Sequence, residues 1–294
     1  MLGLAMTHDS ESSAQRFSDA VVDAVRKAGT TLCVGLDPIL DRIPDGARTA
    51  TQAETLTRFC LGVLDAIAGV AGVVKPQSAC FERYGPEGVT SLHAVCRAAR
   101  ERGFVVILDA KRGDIASTAE HYATAVAHTG AHAVTLNGYL GPESIRPFLA
   151  AGLGVFVLVR TSNADSDVVQ RSRLGDGRII AEMMADMTAN LGREFIGTSG
   201  LSDVGAVVGA TKASDGVMLR ARMPQQIFLV PGVGAQGGQV EDLAGMTRGG
   251  GAGMIVNSSR AILYPPPSAD WKGSIRDAAR STAEELRAVL GSEL

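Results

Sequence analysis

Eight short apolar runs, each followed by polar or helically spaced sequence, leave this chain few architectures. The runs fall at residues 32–36, 72–74, 104–108, 131–136, 154–159, 204–208, 227–230 and 253–256. Amphipathic segments lie between or after them at 52–67, 88–102, 116–128, 179–191 and 278–290. Strands alternating with helices build a parallel sheet, and strands apolar on both faces suit a sheet covered on both sides. Eight such units in 294 residues fit a closed barrel better than an open sheet. The expectation is an α/β fold, a single (β/α)8 TIM barrel spanning residues 1–294 with residues 1–10 as a flexible N-terminus. An extra N-terminal helix, roughly residues 11–27, precedes the first strand and is expected to cover the barrel floor.

Composition excludes several function classes. The formal net charge is −3, so no global basic surface advertises nucleic-acid binding. No run approaches the roughly 18 consecutive apolar residues of a membrane span. The first dozen residues are too short and too lightly charged for a signal peptide, which makes a cytoplasmic location the expectation. Cys33, Cys60, Cys80 and Cys96 form no CxxC pair and have no histidine at zinc spacing, so they read as free, mostly buried thiols.

In a barrel of this kind, chemistry sits at the C-terminal ends of the strands. Here those ends carry Asp37, Lys75, Asp109 with Lys111, Asn137, Thr161-Ser162-Asn163, Thr211, residues 232–238, and Asn257 with Arg260. One polar residue at one strand end is ordinary turn chemistry; a complete rim of them is not. The densest point is Asp109-Ala110-Lys111-Arg112-Gly113-Asp114, directly after an apolar strand. Strand side chains alternate, so Asp109 and Lys111 are expected on one face, with Asp114 in the turn beyond. Desolvating charges costs several kcal/mol per ion unless they are well paired, so such a cluster marks a place where charge is held for chemistry.

The stretch 231–238, Pro-Gly-Val-Gly-Ala-Gln-Gly-Gly, contains a literal GxGxxG. A dinucleotide fold would place an acid about 20 residues later. Around that position the chain reads Ile255-Val-Asn-Ser-Ser-Arg260, with no acid. In barrels the loops after strands 7 and 8 bind phosphate through backbone N–H groups, and glycines permit that close approach. Gln236 and Arg260 are placed to add an amide and a guanidinium. Arg83, Tyr84, Arg112, Arg160, Arg171 and Arg173 are further, unranked candidates for an anion entrance. His8, His93, His121, His128 and His132 stand at no strand C-terminus and read as structural or surface residues.

Asp109-x-Lys111-x-x-Asp114 with Ile115 and Thr118, the 231–238 loop, Ser259-Arg260, residues 32–38 and Val74-Lys75-Pro-Gln-Ser together resemble the orotidine 5′-phosphate decarboxylase family. The likeness is greatest to its longer bacterial form, the type 2 subfamily, and runs from about residue 15 to 290. The resemblance implies decarboxylation of orotidine 5′-monophosphate to uridine 5′-monophosphate and CO2, in pyrimidine biosynthesis, without cofactor or metal. It also implies a homodimer whose active sites are shared across the interface, acting on neither nucleic acid nor membrane. On this resemblance Lys111 is the proton donor beside Asp109, while Asp114, Ile115 and Thr118 reach the partner's site. Asp37 and Lys75 contact the ribose, and Gln236 and Arg260 hold the phosphate. Ser162 reads the pyrimidine amide edge, with Thr161 or Asn163 as alternatives. The flanking carboxylates of Asp109 and Asp114 are expected to keep Lys111 protonated.

Two other readings fit parts of the pattern. A metal-dependent sugar-phosphate decarboxylase or aldolase shares the Asp-x-Lys-x-x-Asp skeleton, but Lys75 at the second strand end would repel a hard cation. A non-catalytic nucleotide-binding barrel would have no need of the intact Asp109–Lys111–Asp114 set.

Overall fold

Alternation along each strand sends every second residue toward the barrel axis, and it decides how this interior is filled. The computed structural model describes residues 15–233, 237–248 and 252–294. Eight parallel strands close in sequence order: β1 (Leu32–Leu36), β2 (Val73–Pro76), β3 (Val105–Arg112), β4 (Ala133–Leu136), β5 (Gly154–Arg160), β6 (Ser202–Val208), β7 (Gln226–Pro231) and β8 (Met254–Ser258). The helices are α1 (Phe17–Ala28), α2 (Gln52–Ile67), α3 (Ala79–Glu82), α4 (Gly85–Glu101), α5 (Ala116–His128), α6 (Arg146–Ala150), α7 (Ser166–Gln170), α8 (Ile180–Gly192), α9 (Ala213–Arg222), α10 (Arg260–Leu263) and α11 (Trp271–Leu290).

Cys33, Val73, Ile107, Ala133, Phe156 and Ile255 form part of one buried apolar cluster inside the barrel. Two residues further along the same strands stand Gly35, Lys75, Asp109, Thr135, Leu158 and Asn257. One step of the strand period therefore turns the interior from apolar to mostly polar. The opposite faces, among them Val34, Val74, Leu108 and Val157, pack into a second cluster with the helices. Each large side chain buried there contributes about 1.5–3 kcal/mol.

Helix α1 seals the floor, as its position before the first strand suggests. Phe17, Val21 and Val25 join the inner cluster. The Phe17 ring meets Phe156 edge-on, with centroids 5.7 Å apart. A Cβ at Gly154 would lie 2.1 Å from the Phe17 ring, so the glycine makes the fit possible. The helix begins at Phe17, not near residue 11, because Arg16 is extended and Asp203 of β6 supplies the acceptor there. The Asp203 carboxylate accepts from the Ser18 N–H at 2.9 Å and the Ser18 hydroxyl at 2.8 Å, satisfying donors that a helix start otherwise leaves open. Gly29, with φ 64°, ends the helix in the left-handed conformation. The expected flexible residues 1–10, and residues 11–14 of the expected helix, lie outside the described residues.

At the other end of the chain, α11 starts at Trp271, earlier than the periodicity from 278 suggests. Asp270 caps it by accepting from the Gly273 N–H at 2.9 Å, and Trp271 packs on Phe59 with ring centroids 5.6 Å apart. Among the described residues no helix is long and apolar enough to cross a membrane. Since Phe17 is the largest side chain of the floor helix in the inner cluster, Phe17→Ala should cost about 3–5 kcal/mol in a denaturant titration.

Candidate active site

Two strands of the barrel break register at their C-terminal ends. β3 shifts against β4 between Leu108 and Arg112, and β5 shifts against β6 between Leu158 and Arg160. Bulges re-aim side chains, and both lie where the rim residues begin. In β3 the irregularity includes Lys111, whose φ of 46° is in the left-handed region that non-glycine residues seldom adopt. The Thr135 hydroxyl of β4 holds it there, accepting from the Ala110 N–H at 3.1 Å and the Lys111 N–H at 3.0 Å. Asp109 and Lys111 do face one site, but through this pinned bulge and not through plain alternation.

The Asp109 carboxylate is the centre of that site. Its Oδ2 accepts from Lys75 Nζ at 2.8 Å and Gln77 Nε2 at 3.0 Å. Its Oδ1 accepts from Lys111 Nζ at 2.6 Å and the Thr135 hydroxyl at 2.9 Å. The Asp109 and Lys75 side chains are only 9% and 4% exposed, whereas Lys111 is 49% exposed and opens to the cavity. Burial alone would raise the Asp109 carboxyl, but the ammonium groups of Lys75 and Lys111 outweigh it and hold it well below the usual carboxylate range. Burial would likewise lower Lys75; the charges of Asp109 and Asp37 outweigh it and raise the ammonium above its ordinary value. Gln77 and Thr135 are site residues that motif reading missed. Gln77 carried a signal, since it lies two residues beyond Lys75 and so on the same side of the strand. Thr135, a hydroxyl inside an apolar run, reveals its role only through its neighbours on β3.

A cavity of about 670 Å3 opens above this carboxylate and brings Asp37, Lys75, Asp109, Lys111, Ser162 and Arg260 onto one lining. Its size lies in the usual range for small-molecule sites, about 300–1,000 Å3. Asp37 Oδ1 is buried with no hydrogen-bond partner among the described residues. The glycine loop closes the rim at Gly232 (φ 101°) and Gly238, whose N–H donates to the Gly232 carbonyl at 3.2 Å. Gln236 lies outside the described residues. Asn137 and Asn257 also line the cavity, while Thr211 stands behind it and donates to the Ser162 carbonyl at 3.1 Å.

The strand-5 rim separates the three pyrimidine-side candidates. The Thr161 hydroxyl accepts from Gln170 Nε2 at 2.8 Å and donates to Asn163 Oδ1 at 2.7 Å. The Ser162 hydroxyl makes no hydrogen bond with any described residue. Thr161 and the Asn163 carbonyl are thus committed to the protein, whereas the Ser162 hydroxyl lines the cavity with no such commitment among the described residues.

Asp114, Ile115 and Thr118 do not join the cavity of their own chain. The Asp114 carboxylate accepts from the Ile115 N–H at 2.8 Å, and among the described residues Asp109 is the one carboxylate paired with Lys111. Ile115 is 60% exposed and Thr118 is exposed. None of the arginines considered for an anion entrance lines the cavity. Arg160 is fully buried and paired with Asp215 and Asp167, and Arg112 pairs with Glu82. A charged residue at a strand end looks the same in sequence whether it points into the site or behind it. His132 accepts the Val106 N–H at 3.0 Å, and burial pushes its imidazole down to about 4. The cysteines are free, three of them buried.

The family model for orotidine 5′-phosphate decarboxylase / HUMPS proteins matches residues 30–270. A Deinococcus radiodurans protein described as orotidine 5′-phosphate decarboxylase is 42% identical, over 94% of this chain and 98% of its own length. One from Rhodopirellula baltica with the same description is 37% identical, over 92% of this chain and 99% of its own. Among solved structures, that of Leishmania donovani OMP decarboxylase has a TM-score of 0.77 at 36% identity, covering 94% of this chain and 98% of that one.

The depressed Asp109 carboxyl has a measurable consequence. Its ionised form adds stability that is complete well above its unfolded value of about 3.9 and is lost as pH falls through the lower folded value. The melting temperature of the wild type should therefore fall more steeply than that of Asp109→Asn between about pH 4 and pH 2, narrowing the gap between them.

Proposed function

Because the chain belongs to the orotidine 5′-phosphate decarboxylase / HUMPS family, we infer that it is a carboxy-lyase converting orotidine 5′-monophosphate to uridine 5′-monophosphate and CO2 in pyrimidine biosynthesis. The observation that carries the reading is Lys111 Nζ, held 2.6 Å from a buried carboxylate and exposed to the cavity. Loss of CO2 from C6 of the pyrimidine leaves a lone pair in the ring plane that the carbonyl groups cannot delocalise. A fixed ammonium beside C6 stabilises that charge as it develops, then donates the proton that replaces CO2. Asp109 keeps the ammonium aimed, and Lys75 holds Asp109 from the other side.

The remaining roles rest on the chemistry of the side chains and on the family resemblance. Asp37, with an unpartnered buried carboxylate oxygen, accepts from a ribose hydroxyl, and Lys75 donates to the ribose. Ser162 meets the pyrimidine amide edge. Arg260, with Gln236, takes the phosphate, whose binding energy positions a ring that offers few handles of its own. A hard cation, as in the metal-dependent sugar-phosphate reading, would need oxygen ligands, and both oxygens of Asp109 already accept ammonium protons.

The working form in this reading is a homodimer. Asp114 with Ile115 and Thr118 enters the partner's site, since their own cavity does not receive them. The exposed Ile115, Tyr139 (85%) and Leu140 (47%) stand on the loops after neighbouring strands β3 and β4 and supply apolar surface for that contact. The four free thiols support a reducing, cytoplasmic setting.

Mixing the purified protein with orotidine 5′-monophosphate in EDTA should give the absorbance change of decarboxylation. Lys111→Ala should lower turnover by about 10^4-fold or more, since it removes both the proton donor and the stabilising charge; near wild-type turnover would sink this mechanism. Heterodimers of Lys111→Ala and Asp114→Ala chains should regain one working site, about half the wild-type rate per dimer. If Asp114 served its own chain, such heterodimers would stay inactive.

A further inference from the structure

From the buried Arg160 to Thr161, Ser166 and Gln170 on the cavity lining runs a polar network to which the decarboxylation chemistry assigns no part. Arg160 ends β5 with its side chain fully buried. Its Nε donates to Asp215 Oδ2 at 2.7 Å, its Nη1 to Ser166 Oγ at 2.8 Å and Gln170 Oε1 at 3.1 Å, and its Nη2 to Asp167. Gln170 then turns to Thr161: its Oε1 accepts the Thr161 N–H at 2.9 Å, and its Nε2 donates to the Thr161 hydroxyl at 2.8 Å. Both ends of the Gln170 amide are thereby used on protein groups.

Helix α7, which carries Ser166 and Gln170, has little apolar anchorage. Val168 and Val169 are 76% and 57% exposed, and Ser166 is its one buried residue. Its position therefore depends on polar contacts, above all those from Arg160. Burying a guanidinium is expensive, and an apolar side chain would fill a strand end at lower cost. The outlay makes sense where the position of the following residues must be set to a fraction of an ångström. Gly209 adds to the constraint: a Cβ there would lie 2.9 Å from Ser162 Cα and Cβ, so Ser162 rests directly on the β6 end.

We propose that Gln170, anchored by Arg160, is a positioning residue that locks Thr161 and so presents the Ser162 hydroxyl to the pyrimidine. This rests on the reading that Ser162 meets the amide edge of the base. A loop held by this clamp offers one preset donor–acceptor; a loop without it would have to find that geometry at each turnover.

A double-mutant cycle on orotidine 5′-monophosphate turnover tests the proposal. Ser162→Ala and Gln170→Ala should each lower kcat/KM by about tenfold to a hundredfold. The double variant should be no worse than Ser162→Ala alone, because the clamp then has nothing to position. Thr161→Val, which removes the hydroxyl that Gln170 reaches while keeping the side-chain shape, should repeat the pattern and serves if Gln170→Ala fails to fold. Thermal midpoints of the variants separate lost positioning from lost structure. If Ser162→Ala loses activity while Gln170→Ala and Thr161→Val do not, or if the losses multiply in the double variant, the clamp is overturned and the Ser162 reading survives. A silent Ser162→Ala overturns both.

Discussion

A single carboxylate, that of Asp109, organises the active end of this barrel. It accepts two ammonium groups, one amide and one hydroxyl, and each donor comes with a different structural duty. Lys75 and Gln77 tie it to the end of β2, Thr135 ties it to β4, and Lys111 faces the cavity. A buried anion without such partners would have to take up a proton, and the two lysines would then have no charge to rest against. The same Thr135 hydroxyl that donates to Asp109 also pins the strained Lys111 backbone. Charge balance and backbone geometry are thus one arrangement, not two.

The arrangement is asymmetric in exposure, and function follows from the asymmetry. Lys75 is enclosed and stays where its carboxylate is; Lys111 has one side against that carboxylate and the other toward the cavity. An ammonium fixed from behind needs little reorganisation when negative charge appears in front of it, which is the condition for strong electrostatic stabilisation. The apolar layer beneath, from Cys33 to Ile255, excludes water from below and strengthens every interaction above it.

Much of this was legible in the sequence. The β1 run and the helices at 52–67 and 116–128 match the structure residue for residue, because local periodicity and tertiary burial agree there. Where they part, the sequence misleads. The run at 104–108 stops where the apolar residues stop, yet β3 continues through Asp109 to Arg112, because a neighbouring hydroxyl replaces ladder contacts that composition cannot show. Asp109, Lys111, Asp37 and Arg260 were recognisable as rim residues from strand ends alone. Thr135 was not, since its importance lies in cross-strand distances, and Gln77 was signalled only by its spacing from Lys75. Arg160 was misplaced for the converse reason: its position in the chain is that of a ligand group, but its guanidinium is buried and spent on Asp215 and Asp167, off the cavity lining.

The floor helix has a bearing on how the chain assembles. α1 precedes every barrel strand in the chain, yet the Ser18 N–H finds its acceptor on Asp203, 185 residues later, and its Phe17 ring seats against Gly154 and Phe156. Its docking site does not exist until β5 and β6 have been synthesised and paired. A helix made before the barrel strands is therefore fixed only after most of them, and the barrel remains open at its base through most of its own synthesis. A nascent chain interrupted before β6 would carry an amphipathic helix with its apolar face uncovered, a state in which chaperones and not the fold itself must provide the shelter.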